Sequence, residues 1–488
     1  MSTTSTVLEP SNGMTKQLIK MKSLFPKQSE SRDFFYRHLL SGRNTLDSSQ
    51  MGTGKTVVGA QLAKKLLDYE GFGDHWYESV AVICPKAVFP SWRAELEECG
   101  LADRVKFILN VEKLRRGTTP FVKKVGKKNF RWDPLEMHNC LVLIDEIHKL
   151  KGPWTLNANL LVALVNDHIL IHGMSGTPCE SPMEMRPLGY MLGMHNNNQP
   201  KVSSAGGKIP SYFQWLREMR CEKGHWGGYE MQDPEYALTR MRRDMYGPFG
   251  TTKGLTVADF PESFRENRVL VDPIEFTNND KIVKEYKKLN MTADEVKAYV
   301  EDGKSPDHIV DEEDPIIVKI LRARQQCEQY KVKDIATMAQ DAVEEGYNVV
   351  AFLNFTESLR ELATLVGCEY IDGSTPEDLR NEYIDKFQRD ESNMLVINAA
   401  TGGTGISLHD TIGNRPRLSL ISPSFNAKEF AQVIGRIHRN GAKSDALQKI
   451  LLSDNSIEEY VMEAINKKLN NMNTIHHSRP CEMNTTHY

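Results

Sequence analysis

The segment Ser49–Thr56, with the sequence SQMGTGKT, constrains the fold of this chain more than any other feature. It follows a predicted strand at Asn44–Ser48 and precedes a predicted helix at Val57–Leu67. Loops between a strand and a helix surround nucleotide phosphates, because glycines let main-chain N–H groups point inward and the helix N-terminus attracts anions. The segment therefore predicts a nucleoside triphosphate site in an α/β domain, with Ser49 at the position where the usual pattern begins with glycine.

The residues of this loop have distinct expected contacts with the nucleotide. Lys55 can reach the β- and γ-phosphates, and the Thr56 hydroxyl can ligate Mg²⁺. We therefore expect ATP and Mg²⁺ as cofactors. The residues expected to surround the phosphates are Gly52, Thr53, Gly54, Lys55 and Thr56.

An acidic pair, Asp145 and Glu146, follows the apolar run Leu141–Ile144. Carboxylates at the end of a buried strand are costly unless they serve a cation. Asp145 can hold Mg²⁺, and Glu146 can orient and deprotonate an attacking water. His148 can relay the state of the γ-phosphate to neighbouring loops. The alternative, a surface pair that caps the next helix, is disfavoured by the phosphate loop upstream.

The segment Asn426–Gly441 begins with a helix-capping residue and ends with a helix-stopping one. Within it, Gln432, Arg436 and Arg439 are spaced so that a continuous helix would carry all three on one face. Such a face can insert across a cleft onto the γ-phosphate and stabilise the charge of the transition state. A basic, solvated helix is the alternative.

Two series of short apolar runs, separated by helical patterns, occur along the chain. They are Ser79–Cys84, Cys140–Ile144 and His168–His172 in the first half, and Asn348–Leu353, Glu369–Ile371, Met394–Asn398 and Leu418–Ile421 in the second. This alternation predicts parallel sheets covered on both faces, with functional loops at the carboxyl ends of the strands. We expect an α/β fold of two tandem parallel-sheet domains, with helical insertions between them and the nucleotide in the cleft.

The expected division of the chain follows these patterns. It consists of a flexible N-terminus at 1–20, a first domain at 21–265 with an insertion at about 193–250, a helical connector at 266–330, a second domain at 331–470 and a flexible tail at 471–488.

Composition restricts the partners and the compartment. The net charge of −4 excludes a globally basic nucleic-acid binder and leaves local patches for any polyanion. One patch lies in a predicted hairpin or loop, where either a solvated turn or a phosphate contact is open; it comprises Lys123, Lys124, Lys127, Lys128 and Arg131. Eight scattered cysteines, a polar N-terminus and no apolar run of membrane-spanning length favour a cytoplasmic protein, or a host-cell or virion protein if the source is viral.

In their order along the chain, these motifs resemble those of the superfamily two helicases, and within them the Swi/Snf-type double-stranded-DNA translocases. The segments that carry the resemblance are Phe25–Gln28, Ser49–Thr56, Val82–Pro85 with Trp92 and Glu95, Asp145–His148, Ser175–Pro178, Met241–Asp244, Asp372–Ser374 with Arg380 and Phe387, Gly402–Leu408, Gln432–Gly441 and Ser456–Glu459. The likeness covers roughly residues 20 to 470, with Ala442 where the Swi/Snf type usually has glutamine.

The resemblance implies two RecA-like domains that close on ATP, and it assigns further residues. Gln28 would read adenine, Gly405 would approach the nucleotide, and Ser175 and Thr177 would couple hydrolysis to nucleic acid together with His148. The residues expected to grip the nucleic-acid backbone are Pro85, Lys86, Asn354, Thr401, Gly402 and Gly403.

Three functions fit these motifs. The first is a DNA-stimulated ATPase that tracks duplex DNA, the second is a strand-separating helicase acting on DNA or RNA, and the third is a nucleotide-gated DNA-binding switch in a viral assembly. Trp92 and the Arg242–Arg243 segment favour the first, whereas the Asp145–His148 motif is shared with the second. The short chain favours a viral, phage or mobile-element source.

Overall fold

The computed structural model describes residues 21–69, 77–198, 201–202, 208–223, 229–289, 295, 300, 315–402 and 406–476. The elements of the first half, in chain order, are α1 (Pro26–Leu40), β1 (Thr45–Asp47), α2 (Lys55–Leu67), β2 (Ser79–Ile83), α3 (Phe89–Glu98), β3 (Val105–Leu109), α4 (Val111–Leu114), β4 (Val122–Val125), β5 (Asn129–Trp132), β6 (Cys140–Asp145), α5 (Leu156–Asn166), β7 (Leu170–Met174), α6 (Met185–Met191), β8 (Lys201–Val202), β9 (Lys208–Ile209), α7 (Tyr212–Glu218), β10 (Cys221–Lys223), β11 (Tyr229–Met231), α8 (Pro234–Tyr246) and β12 (Thr252–Lys253).

The second half continues the alternation of strands and helices. Its elements are β13 (Asn267–Leu270), α9 (Asn279–Lys287), α10 (Pro315–Glu344), β14 (Asn348–Leu353), α11 (Thr356–Val366), β15 (Glu369–Ile371), α12 (Glu377–Gln388), β16 (Met394–Asn398), α13 (Ala399–Gly402), β17 (Arg417–Ile421), α14 (Ala427–Ile434), β18 (Ala446–Ile450) and α15 (Ile457–His476).

Each half contains a six-stranded parallel sheet. The strand order is β12-β1-β7-β6-β2-β3 in the first and β13-β18-β17-β14-β16-β15 in the second. The central strands are buried along their length because helices pack on both faces, which explains their continuous apolar sequences. The predicted α/β fold of two tandem parallel-sheet domains is therefore confirmed.

The sheets place the functional loops together. The loops after β1, β6 and β7 all leave the carboxyl edge of the first sheet, where parallel strands end side by side. The strand predicted at His168–His172 is instead Leu170–Met174, since His168 adopts a left-handed φ of 55° in the preceding turn. This shift places Ser175 directly at the sheet edge.

Part of the segment predicted to connect the two sheets belongs to the second sheet. Strand β13, inside the predicted connector 266–330, pairs with β18 and so belongs to the second sheet. Helix α10 runs through the predicted boundary at residue 331. The domain limits remain predictions, whereas the hydrogen bonding of β13 and α10 is a property of the fold.

The predicted flexible tail at 471–488 is wrong in its first part. Helix α15 continues to His476, because Met472 and Ile475 recur at helical spacing and are buried. Its last turn packs against the first half, where Arg242 of α8 donates a hydrogen bond to the carbonyl of Ile475 at 3.0 Å. The segments 1–20 and 477–488 lie outside the described residues.

Among the described residues, no helix is both long and apolar enough to cross a membrane. In the part of the predicted insertion (about 193–250) that the structure describes, two short strand pairs are antiparallel, β8 with β9 and β10 with β11. The lysine-rich segment before β6 was predicted to be a hairpin or a loop. It forms the antiparallel hairpin β4–β5.

Candidate active site

The phosphate loop leaves β1 and turns into α2 through two glycines with positive φ. These angles are 79° at Gly52 and 88° at Gly54, a region that L-residues with side chains rarely adopt. Helix α2 begins at Lys55, two residues earlier than predicted, and Gly54 stands at its N-cap. The loop therefore has the backbone that inward-facing N–H groups require.

The side chain of Lys55 folds over the phosphate loop and donates to main-chain carbonyls. Its Nζ donates to the carbonyls of Ser49 at 2.8 Å and Gln50 at 3.1 Å. Burial lowers the pKa of Lys55, although the carboxylates of Asp47 and Glu146 oppose this effect. An ammonium that donates to two neutral carbonyls can exchange them for phosphate oxygens, which carry charge.

Ser49, at the position of the expected glycine, makes a contact that glycine could not. Its hydroxyl accepts a hydrogen bond from the backbone N–H of Leu255 at 2.9 Å, and its own N–H donates to Asp47 Oδ1 at 2.8 Å. Ser49 therefore fastens the start of the loop to the segment after β12.

Gln28, on the first turn of α1, touches the same loop. Its Nε2 donates to the carbonyl of Thr53 at 2.7 Å, and its Oε1 accepts from the N–H of Phe25 at 2.9 Å. A Cβ at Gly54 would lie only 2.5 Å from Gln28 Nε2, so glycine is required for this approach as well as for its φ. The structure thus brings Gln28 to the phosphate loop, and its contact with adenine stays a prediction.

The acidic pair ends β6 opposite this loop. Asp145 Oδ2 accepts a hydrogen bond from the indole Nε1 of the buried Trp92 at 3.0 Å, and Oδ1 accepts from the N–H of Glu146 at 2.9 Å. Burial and the neighbouring Glu146 charge raise the pKa of Asp145. A buried carboxyl that resists ionisation in this setting is suited to a cation partner.

Glu146 has the opposite electrostatic setting. Burial would raise its pKa, but the hydrogen bond with His148 and the charges of Lys55 and Arg436 lower it. His148 Nδ1 lies 3.2 Å from Glu146 Oε2 and 2.9 Å from Ser175 Oγ. The two adjacent carboxylates therefore differ in proton affinity, as separate metal and base roles require.

The loop after β7 connects with this pair through Ser175. Its hydroxyl accepts from the N–H of Thr177 at 3.2 Å, next to its contact with His148. The three residues predicted to couple hydrolysis to nucleic acid are thus linked through Ser175, and their coupling role stays a prediction.

The helix predicted at Asn426–Gly441 is shorter than expected. Helix α14 ends at Ile434 and Gly435 is its C-cap, so Gln432, Arg436 and Arg439 do not share one helical face. Gly435 packs closely on Met51 of the phosphate loop, with only 3.2 Å between a hypothetical Cβ and Met51 Cβ. This close approach explains why a glycine interrupts the pattern.

Both arginines nevertheless lie near the phosphate loop. Arg439 Cγ would be 3.3 Å from a Cβ on Gly52, and its Nη1 donates to Ser407 Oγ at 2.7 Å. Arg436 Nη1 donates to the carbonyl of Ile406 at 3.0 Å. Burial, reinforced by the charge of Arg439, lowers the pKa of Arg436 to about 9, and burial lowers that of Arg439 to about 10. Arg439 against the phosphate loop and Arg436, whose charge acts on Glu146, leave room for an anion between the halves.

The predicted nucleic-acid residues lie in loops at the two sheet edges. Pro85 follows β2, and Lys86 is exposed in the single turn that precedes α3. Thr401 and Gly402 belong to the four-residue helix α13 rather than to an open loop. The predicted site residues Gly403 and Gly405 lie outside the described residues.

Asn354 makes hydrogen bonds within the second half that were not predicted from the sequence. Its Nδ2 donates to Glu328 Oε2 at 2.9 Å and to Ser422 Oγ at 3.2 Å. These contacts tie the end of β14 to helix α10. Contact between Asn354 and nucleic acid stays a prediction.

A charged cluster joining the two halves was missed from the sequence. Lys428, at the start of α14, lies 3.1 Å from Glu180 Oε1 and 3.3 Å from Glu184 Oε2, both in the first half. Lys151 pairs with Glu184, and Lys468 of α15 lies 3.8 Å from Glu180. The only sequence signal was the position of Glu180 just after Pro178.

Comparison with known proteins places these features in context. A family model described as the helicase conserved C-terminal domain matches residues 330–441. A protein of Acanthamoeba polyphaga mimivirus named "Putative ATP-dependent RNA helicase" is 27% identical over 483 residues, which cover 93% of this chain and 83% of that protein.

Chromatin proteins are also similar. The mouse SWI/SNF-related matrix-associated actin-dependent regulator of chromatin subfamily A member 1 is 22% identical over 455 residues, 88% of this chain and 41% of that protein. An ATP-dependent helicase of Schizosaccharomyces pombe is 32% identical over 145 residues, 28% of this chain and 15% of that protein. The chain therefore spans less than half the length of these two relatives.

Proposed function

We propose that this chain, an ATP-hydrolysing enzyme similar to superfamily two helicases of the Swi/Snf type, is a motor that translocates on duplex DNA. The observation that carries the proposal is the contact between Arg439 of the second half and Gly52 of the phosphate loop. ATP bound at this contact would touch both halves. Its hydrolysis can then change how the halves are held together.

The nucleotide would be held mainly by the first half. Lys55 would exchange its carbonyl acceptors for the β- and γ-phosphates, while Gln28 at the loop would face the adenine. Thr56 and Asp145 have the oxygen donors that Mg²⁺ prefers, and Mg²⁺ bound there would offset phosphate charge. Glu146, ionised because of its lowered pKa, would orient and deprotonate the attacking water.

Arg436 and Arg439 would supply the charge that the transition state needs. Their burial depresses their pKa values, so an anion between the halves stabilises both cations. Loss of the γ-phosphate would remove that anion and loosen the contact with the phosphate loop. Segments such as Pro85–Lys86 and Thr401–Gly402 at the end of α13 would then alternate their grip on the phosphate backbone.

A strand-separating helicase is the second candidate, because the viral relative is named as an RNA helicase. The two functions differ in what happens to the duplex. We expect displacement of a third strand from a DNA triplex, with matched DNA and RNA duplexes left paired. Efficient release of a strand from either duplex, without triplex displacement, would replace the translocase by the helicase.

Replacing Lys55 by alanine should weaken ATP binding and lower hydrolysis by at least about 100-fold, because its ammonium is the cation that the phosphate loop itself supplies. Equilibrium binding of a fluorescent nucleotide and steady-state hydrolysis would measure both effects. The matched control is Lys64→Ala on the same helix, where the side chain pairs with Asp68 at 2.8 Å. Normal hydrolysis in Lys55→Ala would exclude the assigned role.

Trp92→Phe should raise the Mg²⁺ concentration that gives half-maximal hydrolysis by about tenfold, because it removes a hydrogen bond to the Asp145 carboxylate. Trp92 acts here as a positioning residue. Trp132→Phe is a matched control, since Trp132 is equally buried but donates to the carbonyl of Leu160 at 3.4 Å. Equal Mg²⁺ requirements in the two variants would contradict this role.

A further inference from the structure

A dense run of positive charge on this chain lies outside the cleft. Between Lys113 and Arg131 the sequence has eight lysines and arginines and no aspartate or glutamate, in a protein whose net charge is −4. All eight side chains are exposed. They lie at the end of α4, on the turn that follows it and on the hairpin β4–β5, which we together call the basic hairpin (residues 113–131).

Strand pairing forces like charges together on this hairpin. In the antiparallel register Lys123 is directly opposite Arg131, and like charges in such pairs are destabilising. Among the described residues, the acidic group within ion-pair distance of the basic hairpin is Asp133, 4.0 Å from Lys123. Lys123 is itself 73% exposed, so this pair offsets little of the repulsion.

The basic hairpin is firmly supported from beneath. Val122, Phe130 and Trp132 are buried in the core of the first half. The N–H of Trp132 donates to Asp167 Oδ2 at 2.8 Å, and Asn159 Nδ2 donates to the carbonyl of Lys128 at 3.0 Å. The cations are therefore displayed on a fixed scaffold.

The turn before the hairpin adds to the same surface. Thr118 pairs with Lys123 in an antiparallel bridge, which joins the segment that follows Arg115 and Arg116 to β4. A Cβ at Gly117 would lie 2.5 Å from the backbone nitrogen of Lys124, so glycine permits this close packing. The hairpin packs on α5, the helix that follows the Asp145–His148 loop in the sequence. The basic hairpin is therefore attached to the same half of the chain as the acidic pair.

We propose that the basic hairpin is a second phosphate-binding surface, which holds the backbone of duplex DNA outside the cleft. The inference rests on the proposed function and extends it to a new contact. Phosphates would offset the repulsion between facing cations and release condensed counterions, so binding would depend on salt and be independent of sequence. The alternative is a solvated turn that binds no ligand. In that case no ligand would offset the repulsion between Lys123 and Arg131.

The test is equilibrium binding of a labelled DNA duplex, without ATP, across a salt series. In the variant with Lys123, Lys124, Lys127 and Lys128 changed to glutamine, we expect at least about tenfold weaker binding. The slope of log affinity against log salt should fall by up to about 3.6 if each lysine neutralises one phosphate. The same four lysines changed to arginine should retain binding.

A matched variant removes the same charge elsewhere. Helix α9 and its C-terminal flank carry four exposed lysines, namely Lys281, Lys284, Lys287 and Lys288. Their change to glutamine should leave affinity within about twofold of wild type. Equal losses in both variants would assign the effect to net charge and overturn the hairpin surface.

Wild-type affinity and salt slope in the hairpin variant would also overturn this surface. The binding assay contains no ATP, so that result would not contradict the proposed motor. Failure of triplex displacement would contradict the motor but not the hairpin surface. A parallel titration with duplex RNA identifies the polyanion. If the hairpin variant bound duplex RNA more weakly than wild type but bound duplex DNA normally, the assignment to DNA would be contradicted.

Discussion

Glu146→Gln should lower kcat for ATP hydrolysis by about 10³-fold and leave ATP affinity within about twofold of wild type. Glutamine keeps the size of the side chain but cannot accept the proton of the attacking water. The backbone also tolerates the change, because the left-handed φ of 54° at Glu146 imposes a similar cost on both residues. The loss would therefore report chemistry and not folding.

Single-turnover hydrolysis and fluorescent-nucleotide binding would measure the two quantities separately. Glu97→Gln is a suitable control, because Glu97 is exposed on α3 and carries the same functional group. Substantial turnover in Glu146→Gln would show that another group activates the water. His148, 3.2 Å from the Glu146 carboxylate, would then be the first residue to test.

Arg439→Ala should lower kcat by about 10³-fold, because it removes the second-half cation that lies against the phosphate loop. ATP binding should change much less, since Lys55 and the loop backbone remain. Arg439 also donates to Ser407 Oγ, so the thermal midpoint must be measured beside kcat. A normal midpoint with lost turnover would assign the effect to transition-state charge.

The control for this variant is Arg389→Ala, in which an exposed arginine of the second half loses its pairing with Glu391. It should hydrolyse ATP like the wild type. If Arg439→Ala keeps more than about a tenth of wild-type kcat, the charge must come from elsewhere, because arginine fingers contribute 10³-fold or more. Arg436, buried beside it, would then be the candidate.

The parts of the site carried by local sequence were the most predictable. Strand β6 and its acidic end were evident because a buried parallel strand is uniformly apolar up to the point where Asp145 appears. The phosphate loop was equally clear, because its glycines must adopt positive φ. Both features depend on residues adjacent in the chain.

Features set by tertiary packing were not predictable. The helix predicted through Arg436 stops at Ile434, because Gly435 packs against Met51 from the other half. Strand β13 was missed because its half-exposed sequence at a sheet edge lacks an apolar run. The sequence also placed His476 in a flexible tail.

His476 is instead buried at the end of α15. Its Nε2 donates to the carbonyl of Cys179 at 2.9 Å, and its Nδ1 lies 2.7 Å from the hydroxyl of Tyr246. That hydroxyl is also 2.7 Å from Ser48 Oγ, at the start of the phosphate loop. The last turn of the described chain thus contacts the active-site edge, 297 positions from Cys179 in sequence.

The most direct test of the central claim is the rate of ATP hydrolysis without nucleic acid and with single-stranded DNA, duplex DNA or duplex RNA. The proposed motor, with its two-half site around Lys55 and Arg439, predicts strong stimulation by duplex DNA and little by the others. Stimulation mainly by single strands or by RNA would contradict the duplex-DNA motor and favour a strand-separating helicase.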